Sequence, residues 1–339
     1  MKRKVSFWNI NFEEFYKLKT EKDKLKFIIQ LALLAPSSHN CQPWKIKIDG
    51  DDKIIVYPNL KKSLKFSDKI NRQLYLSLGC FFETILIAAN HFGFNINVKK
   101  NLDSDGELYI FYFGKVQQQT TKNNLAEQIT RRRTNRFKYT NEALPQQLLE
   151  DIKFFENENN KVFIVNEKKD LDIIADVVVE SGVKAMSHKE FRSELFPYVK
   201  SNYTRSMTVI PLYGFGMPGA VSLIAPLLIR TFNMNKVSQK KDLELLKNYT
   251  PAFGVIFSSQ DNKDGWIESG RLYQRIALQA SKYSVYLAPN GAVIEFGQKE
   301  KLSSVCGTNF YPQIFFRIGH SKVVPKASPR MNFDTALIN

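Results

Sequence analysis

Ser37, Ser38, Asn40 and Gln42 crowd four hydroxyl- or amide-bearing side chains into the stretch Ala35-Pro36-Ser37-Ser38-His39-Asn40-Cys41-Gln42-Pro43-Trp44. Groups of this kind hold phosphate oxygens or the edge of a heteroaromatic ring, and they supply no nucleophile paired with a base. A second cluster, Arg131-Arg132-Arg133-Thr134-Asn135-Arg136, combines guanidinium groups with a hydroxyl. Forked N–H donors match phosphate oxygens, so this run reads as an anion site. A third stretch, Pro289-Asn290-Gly291-Ala292, is a turn in which the glycine leaves the backbone free of a side chain. Ser328 and Arg330 add one more hydroxyl and guanidinium. Each stretch also has a plainer reading: polar turn residues bonding their own backbone, a solvated charged face, and a frayed tail.

The flanking sequence predicts the elements that hold these residues. Leu25, Phe27, Ile28, Leu31, Ala32 and Leu34 recur at helical spacing over 21–35, and Pro36 stops the helix. Trp44 to Ile48 and Lys53 to Tyr57 alternate as strands around Asp49-Gly50, a hairpin signal. Residues 71–93 are apolar on nearly every face and read as a buried helix. Strands are expected at Phe94 to Val98, Glu107 to Phe113, Lys161 to Val165, Ala252 to Ser258 and Gln313 to Ile318. Helices are expected at Leu125 to Arg133, Pro145 to Glu156, Leu171 to Met186 and Trp266 to Tyr283. From Ser206 to Ile229 no residue is charged. That run is long enough for a membrane span, but Pro211, Pro218, Pro226 and three glycines interrupt it, so it reads as a mobile apolar lid over a ligand.

The chain has 339 residues with 43% hydrophobic and 13% aromatic content, enough for a sizeable globular core. Lys and Arg number 49 against 33 Asp and Glu, a formal charge of +16. Such an excess suits nucleic acid, an anionic membrane surface or phosphorylated ligands. The lysines are scattered without a long tract, which favours compositional bias over polyanion binding. Cys41, Cys80 and Cys306 lack paired spacing, and the four histidines are dispersed, so neither a disulfide framework nor a metal site is expected. Met1 to Phe7 lacks the apolar run of a signal peptide, and the cytoplasm is the expected location.

Ala-Pro-Ser-Ser-x-Asn-x-Gln-Pro-Trp at 35–44 resembles the signature loop of the FMN-dependent nitroreductase superfamily. The resemblance extends to Arg132, Thr134 and Arg136, which match the family's phosphate motif, and to Arg330, with Ser328 beside it, which match its C-terminal arginine. It implies an α+β fold with a mixed or antiparallel sheet flanked by helices. Trp266 to Tyr283 resembles the family's long dimer-core helix, and the turn at Pro289, Asn290 and Gly291 then matches the one that presents a backbone N–H to flavin N5.

The order of motifs resembles the Acg-like branch of the family, in which two diverged halves in one chain imitate the usual homodimer. The halves are expected at 1–120 and 121–339, with the lid at about 203–230. The loop and the arginine motif each occur once, which implies one FMN per chain. The resemblance implies a monomer acting as a pseudo-dimer, with further self-association open, that passes electrons from NADH or NADPH through FMN to a small organic acceptor. Ser37, Ser38, Asn40 and Gln42 would face the phosphate, ribityl chain or pyrimidine edge. No side chain is expected to act as a catalytic acid or nucleophile, since the chemistry belongs to the cofactor. A rival reading is an FMN storage protein whose lid shuts out the nicotinamide. A third, a nucleic-acid or membrane-surface protein, rests on charge alone; neither nucleic acid nor a membrane span is expected.

Overall fold

The computed structural model describes residues 6–104, 106–115, 125–233 and 235–338. The first five residues and the half boundary expected at 120/121 lie outside the described residues. Helix α1 (Glu21–Ala32) starts where the Thr20 side chain accepts from the Asp23 N–H, and it buries Leu25, Ile28, Ile29, Leu31 and Ala32. It ends three residues before the expected Ala35. Leu34 and Ala35 donate to the carbonyls of Leu31 and Ala32, which tightens the last turn ahead of Pro36.

Strands β1 (Trp44–Asp49) and β2 (Lys53–Pro58) form the expected hairpin. Helix α2 (Arg72–His91) follows and is buried along most of its length. Strands β3 (Phe94–Asp103) and β4 (Gly106–Lys115) complete an antiparallel sheet in the order β1-β2-β4-β3.

The helix expected over 125–133 is cut short, because α3 covers only Leu125–Gln128. Beyond it the chain straightens: Thr134 bridges Leu287 in parallel, and the Asn135 N–H donates to the Leu287 carbonyl at 3.2 Å. Pairing with a neighbouring strand thus replaces the helical bonds, and the arginine-rich segment becomes extended.

Next come α4 (Gln146–Phe154), β5 (Asn160–Val165), α5 (Lys168–Ser187) and α6 (Lys189–Leu195). Two short strands, β6 (Val199–Lys200) and β7 (Ile210–Pro211), pair in parallel, and the uncharged run continues into α7 (Gly219–Thr231) with Pro226 inside it. Then follow α8 (Asn235–Asn248), β8 (Ala252–Ser258), α9 (Lys263–Lys282), β9 (Val285–Pro289), α10 (Ala292–Glu295), α11 (Lys299–Cys306), β10 (Tyr311–His320) and α12 (Phe333–Ala336). Strands β5-β8-β10-β9 form a second antiparallel sheet in that order. The fold is α+β, with one four-stranded sheet on each side of a central helix pair.

That pair is α2 and α9, 20 residues each. They meet at backbone contact. A Cβ on Gly79 would lie 2.1 Å from the Ile267 carbonyl oxygen, and one on Gly270 would lie 2.0 Å from the Leu76 carbonyl oxygen. Glycine is required at both positions for the helices to approach this closely. Beside the crossing, buried Glu83 accepts from Arg271 at 2.8 Å and from Arg275 at 2.6 Å. The C-terminal segment returns to the first sheet, where the Ile338 N–H donates to the Ile46 carbonyl at 2.8 Å. Among the described residues only α2 is long and apolar enough to cross a membrane, and 83% of its apolar window is buried within the protein.

Candidate functional site

The loop between α1 and β1 holds an unusual backbone. His39, Asn40 and Gln42 have φ of 49°, 56° and 52°, a left-handed conformation that side chains rarely adopt. Local bonds hold it: the Gln42 N–H donates to Ser37 Oγ at 2.9 Å, and the Asn40 and Cys41 N–H groups donate to the Ser37 and Ser38 carbonyls. Helix α2 fixes the loop from outside. The Ser38 N–H donates to Ser77 Oγ at 3.1 Å, and Ser38 Oγ donates to Gln73 Oε1 at 2.7 Å. Backbone strain of this kind persists where surrounding structure over-determines it, and it clusters at ligand sites.

Ser37 and Ser38 line a cavity of about 520 Å³. Thr134 and Arg136 line it from the extended arginine segment, and Pro289, Asn290, Gly291 and Ala292 line it from the end of β9. The sequence-predicted residues Ser37, Ser38, Thr134, Arg136, Pro289, Asn290 and Gly291 therefore share one chamber. Gly291 has φ −70°, so its conformation would suit any residue. What its missing side chain provides is room, since a Cβ there would meet the Gln73 side chain at 3.1 Å.

Asn40 and Gln42 do not line the chamber. Asn40 Nδ2 donates to the Val209 and Pro329 carbonyls, each at 2.9 Å, and Asn40 Oδ1 accepts from Arg330 at 2.8 Å. Gln42 Nε2 donates to the Met207 carbonyl at 2.8 Å, while its Oε1 accepts from the Met331 N–H at 2.7 Å. These two amides clamp together the loop, the 207–209 strap and the C-terminal segment. From that anchor the strap crosses to the chamber, where Ile210 and Phe215 form part of its wall and the Phe215 ring lies 4.9 Å from the Arg136 guanidinium. Ser328 lies outside the chamber as well; its carbonyl accepts from Trp8 Nε1 at 2.9 Å.

Arg132 and Arg330 are 4% and 3% exposed, and both donate to the Leu34 carbonyl, at 3.4 and 3.2 Å. Arg133 and Arg330 stack on the Trp8 ring at 3.9 and 4.8 Å. Among the described residues no carboxylate pairs with Arg132, Arg133, Arg136 or Arg330, and the Nε atoms of Arg132 and Arg330 have no hydrogen-bond partner. Burial lowers the pKa of Arg132. It lowers that of Arg330 further, with the neighbouring Arg132 and Arg133 charges adding to it. Guanidinium groups stay charged nonetheless, and buried charges without partners are costly. Neither Arg132 nor Arg330 lines the chamber; as guanidiniums without carboxylate partners they have the chemistry that could hold an anion with several acceptor oxygens.

Several chamber residues carry no sequence signal. Arg72 forms a buried ion pair with Glu295 and donates to the Gln313 carbonyl. Gln73 reaches Glu295 at 3.2 Å. The buried Tyr273 hydroxyl has no partner and faces the Arg132 and Arg136 charges. Arg317 donates to the Phe137 carbonyl at 3.1 Å and stacks 4.5 Å from Tyr139. All of these lie on helices or strands whose apolar pattern reads as core; only the polarity of single positions could have marked them. The opposite wall is apolar, with Val178, Val179 and Met186 of α5, Phe191 and Leu195 of α6, and Phe296.

Among the titratable groups that line the chamber, burial raises the pKa of the Asp242 carboxyl. His39 lines the wall and stacks on Tyr198 at 5.8 Å, and burial pushes its pKa down to about 4. Burial likewise pushes the thiols of Cys80, on the chamber wall, and of Cys41, outside it, up to about 12, so both stay neutral. Among the described residues no group of three His, Cys, Asp or Glu could hold a metal ion.

Residues 6–74, which contain the loop, match a family model described as "Putative TM nitroreductase". Over 79 residues the chain is 34% identical to "Probable NAD(P)H nitroreductase PigM" of Serratia sp. (strain ATCC 39006), a match covering 23% of this chain and 22% of that protein. Over 306 residues it is 22% identical to "Putative NAD(P)H nitroreductase Rv3131" of Mycobacterium tuberculosis H37Rv, covering 89% of this chain and 86% of that one. Among solved structures, the FMN-dependent nitroreductase NfnB from Mycobacterium smegmatis in complex with NADPH aligns with 62% of this chain and 96% of its own. Its identity is 17% and the TM-score 0.42. By sequence, the chain's similarity is to the nitroreductase family.

Proposed function

We propose that the chain is a nitroreductase-type oxidoreductase that binds one FMN and reduces a small organic acceptor with electrons from NADH or NADPH. The observation that carries the reading is the pair of buried guanidiniums, Arg132 and Arg330, which have unpartnered Nε atoms and no carboxylate. A phosphate monoester fits that donor set, because its oxygens accept several charge-assisted bonds at once. Thr134 and Arg136, which line the chamber, would add a hydroxyl and a further guanidinium to the phosphate. Ser37, Ser38 and Gln73 would orient the remainder through hydroxyl and amide groups. In the Pro289-to-Ala292 turn the Asn290 and Ala292 N–H groups donate to the Phe315 carbonyl and to Asn290 Oδ1, so the Gly291 N–H is the donor the turn would offer a ligand, and the absent side chain of Gly291 leaves it approachable. Bound FMN supplies the hydride and electron chemistry; the protein's share is binding, orientation and exclusion of water.

A single flavin per chain is supported by the single occurrence of both the loop and the arginine segment. The pseudo-dimer reading draws support from the layout, in which each half brings one four-stranded sheet and one 20-residue helix to a shared crossing. The halves and the lid at 203–230 belong to the same proposal.

One observation favours storage as a second reading. The 207–215 strap is clamped by Asn40 and Gln42, and Phe215 lies against Arg136 at the chamber wall, which would shut a nicotinamide out if the strap covers the flavin face. An anaerobic spectrum of the FMN-loaded protein before and after NADPH separates the two. Bleaching of the bound flavin supports the reductase. A flavin that dithionite reduces but NADPH does not supports storage, and Phe215→Ala should then admit NADPH. Failure of the purified chain to bind FMN would overturn both.

A further inference from the structure

We infer that the outward face of α7 docks on an anionic bilayer surface. Ser222, Ala225 and Pro226 turn inward, toward a small cluster built on Val199 and Leu212. The opposite face is apolar yet exposed: Val221 is 48% exposed, Leu223 and Ile224 60%, Leu227 56% and Leu228 37%. Ile224 follows Val221 by three residues, Leu227 follows Leu223 by four, and Leu228 follows Ile224 by four, so they form one broad stripe, and Phe232 extends it at 59% exposure. A contiguous outward stripe of aliphatic side chains is rare on a soluble surface and marks an interaction site.

Charge selects the occupant. From 195 to 241 the sequence has six Lys or Arg and no Asp or Glu. Lys200 and Arg230 both lie over the Phe196 ring, at 4.4 and 4.8 Å, which holds two cations beside the helix. An apolar helical stripe flanked by basic groups fits the headgroup and acyl boundary of an anionic membrane. A second copy of the chain fits poorly, because face-to-face pairing would bring two acid-free basic segments together. At 13 residues the helix is about 20 Å long, too short to span, so it would lie in the interface plane.

The test is co-flotation of the full chain with vesicles of phosphatidylcholine and phosphatidylglycerol, against vesicles of phosphatidylcholine alone. Binding to the anionic vesicles is expected, weakening as salt is raised above about 0.15 M. The triple variant Leu223→Ser, Ile224→Ser, Leu227→Ser should lower partitioning by about tenfold or more, since it removes the inserted apolar area from exposed positions. Arg230→Gln should lower it about fivefold and flatten the salt dependence. It also tests the proposal should the triple variant fail to fold. Absence of wild-type binding to anionic vesicles would overturn the inference. So would unchanged binding of the folded triple variant, or a solution dimer that the triple variant abolishes while vesicle binding is absent.

Discussion

Replacing Arg132 with methionine should have effects of opposite sign on the empty and the FMN-loaded protein. In the ligand-free chain the guanidinium is buried, has one long bond to the Leu34 carbonyl at 3.4 Å, and leaves Nε without a partner. An apolar side chain of similar length removes that desolvation cost, and buried charges replaced in this way leave stability unchanged or raise it by about 2 kcal/mol. For a protein of this size that is a rise of several degrees in melting midpoint, on the order of 2–4 °C for each kcal/mol. With FMN present the balance reverses. Two charge-assisted bonds to a phosphate are worth about 3 kcal/mol together, which corresponds to a Kd weaker by about a hundredfold. Differential scanning fluorimetry of the flavin-free protein gives the first quantity, and quenching of flavin fluorescence gives the second. Riboflavin, which lacks the phosphate, should bind both proteins alike. A melting midpoint that falls by several degrees without flavin would make Arg132 a structural residue, and unchanged FMN affinity would refute the assignment of the phosphate.

Three further outcomes follow from packing and titration. Gly270→Ala forces a methyl group into the Leu76 carbonyl at the helix crossing and should cost about 3 kcal/mol in a urea titration, because both helices present backbone there. Glu83→Gln leaves Arg271 and Arg275 without their shared carboxylate and should cost about 3 kcal/mol, read the same way. Asp68 gives a pH signature: burial, with the Glu295 charge adding to it, pushes its carboxyl up to about 6. The folded state then binds the proton more tightly than the unfolded chain, so this group's contribution is fullest below about pH 4 and is lost as pH rises to 6. Asp68→Asn should raise the midpoint at pH 7 and remove that slope from a series of melts between pH 4 and 7.

The local elements were largely legible because their signals are local. The apolar spacing of 25–34 and 74–89, the Asp49-Gly50 turn and the alternation of β1 and β2 each depend on neighbours a few residues away. The helix expected at 125–133 misled for the opposite reason. Its backbone pairs with Leu287, more than 150 residues distant, and nothing in Arg131 to Asn135 announces that partner. The same separation hides the site. Asn40 and Gln42 read as ligand-facing amides, yet their partners are Val209, Met207, Arg330 and Met331, and the side chains are spent on the clamp. Gln73, Tyr273 and Arg317 reach the chamber from elements whose apolar pattern describes core. The exposed stripe of α7 was visible as an uncharged run, but a sequence does not say which face of a helix turns outward.

The central claim, one phosphate-bearing flavin held by the buried arginines, is tested most directly by titrating the flavin-free chain with FMN and with riboflavin while counting the bound equivalents. One FMN per chain, bound at least about a hundredfold more tightly than riboflavin, is the predicted result. Equal affinity for the two flavins, or two FMN per chain, would contradict it.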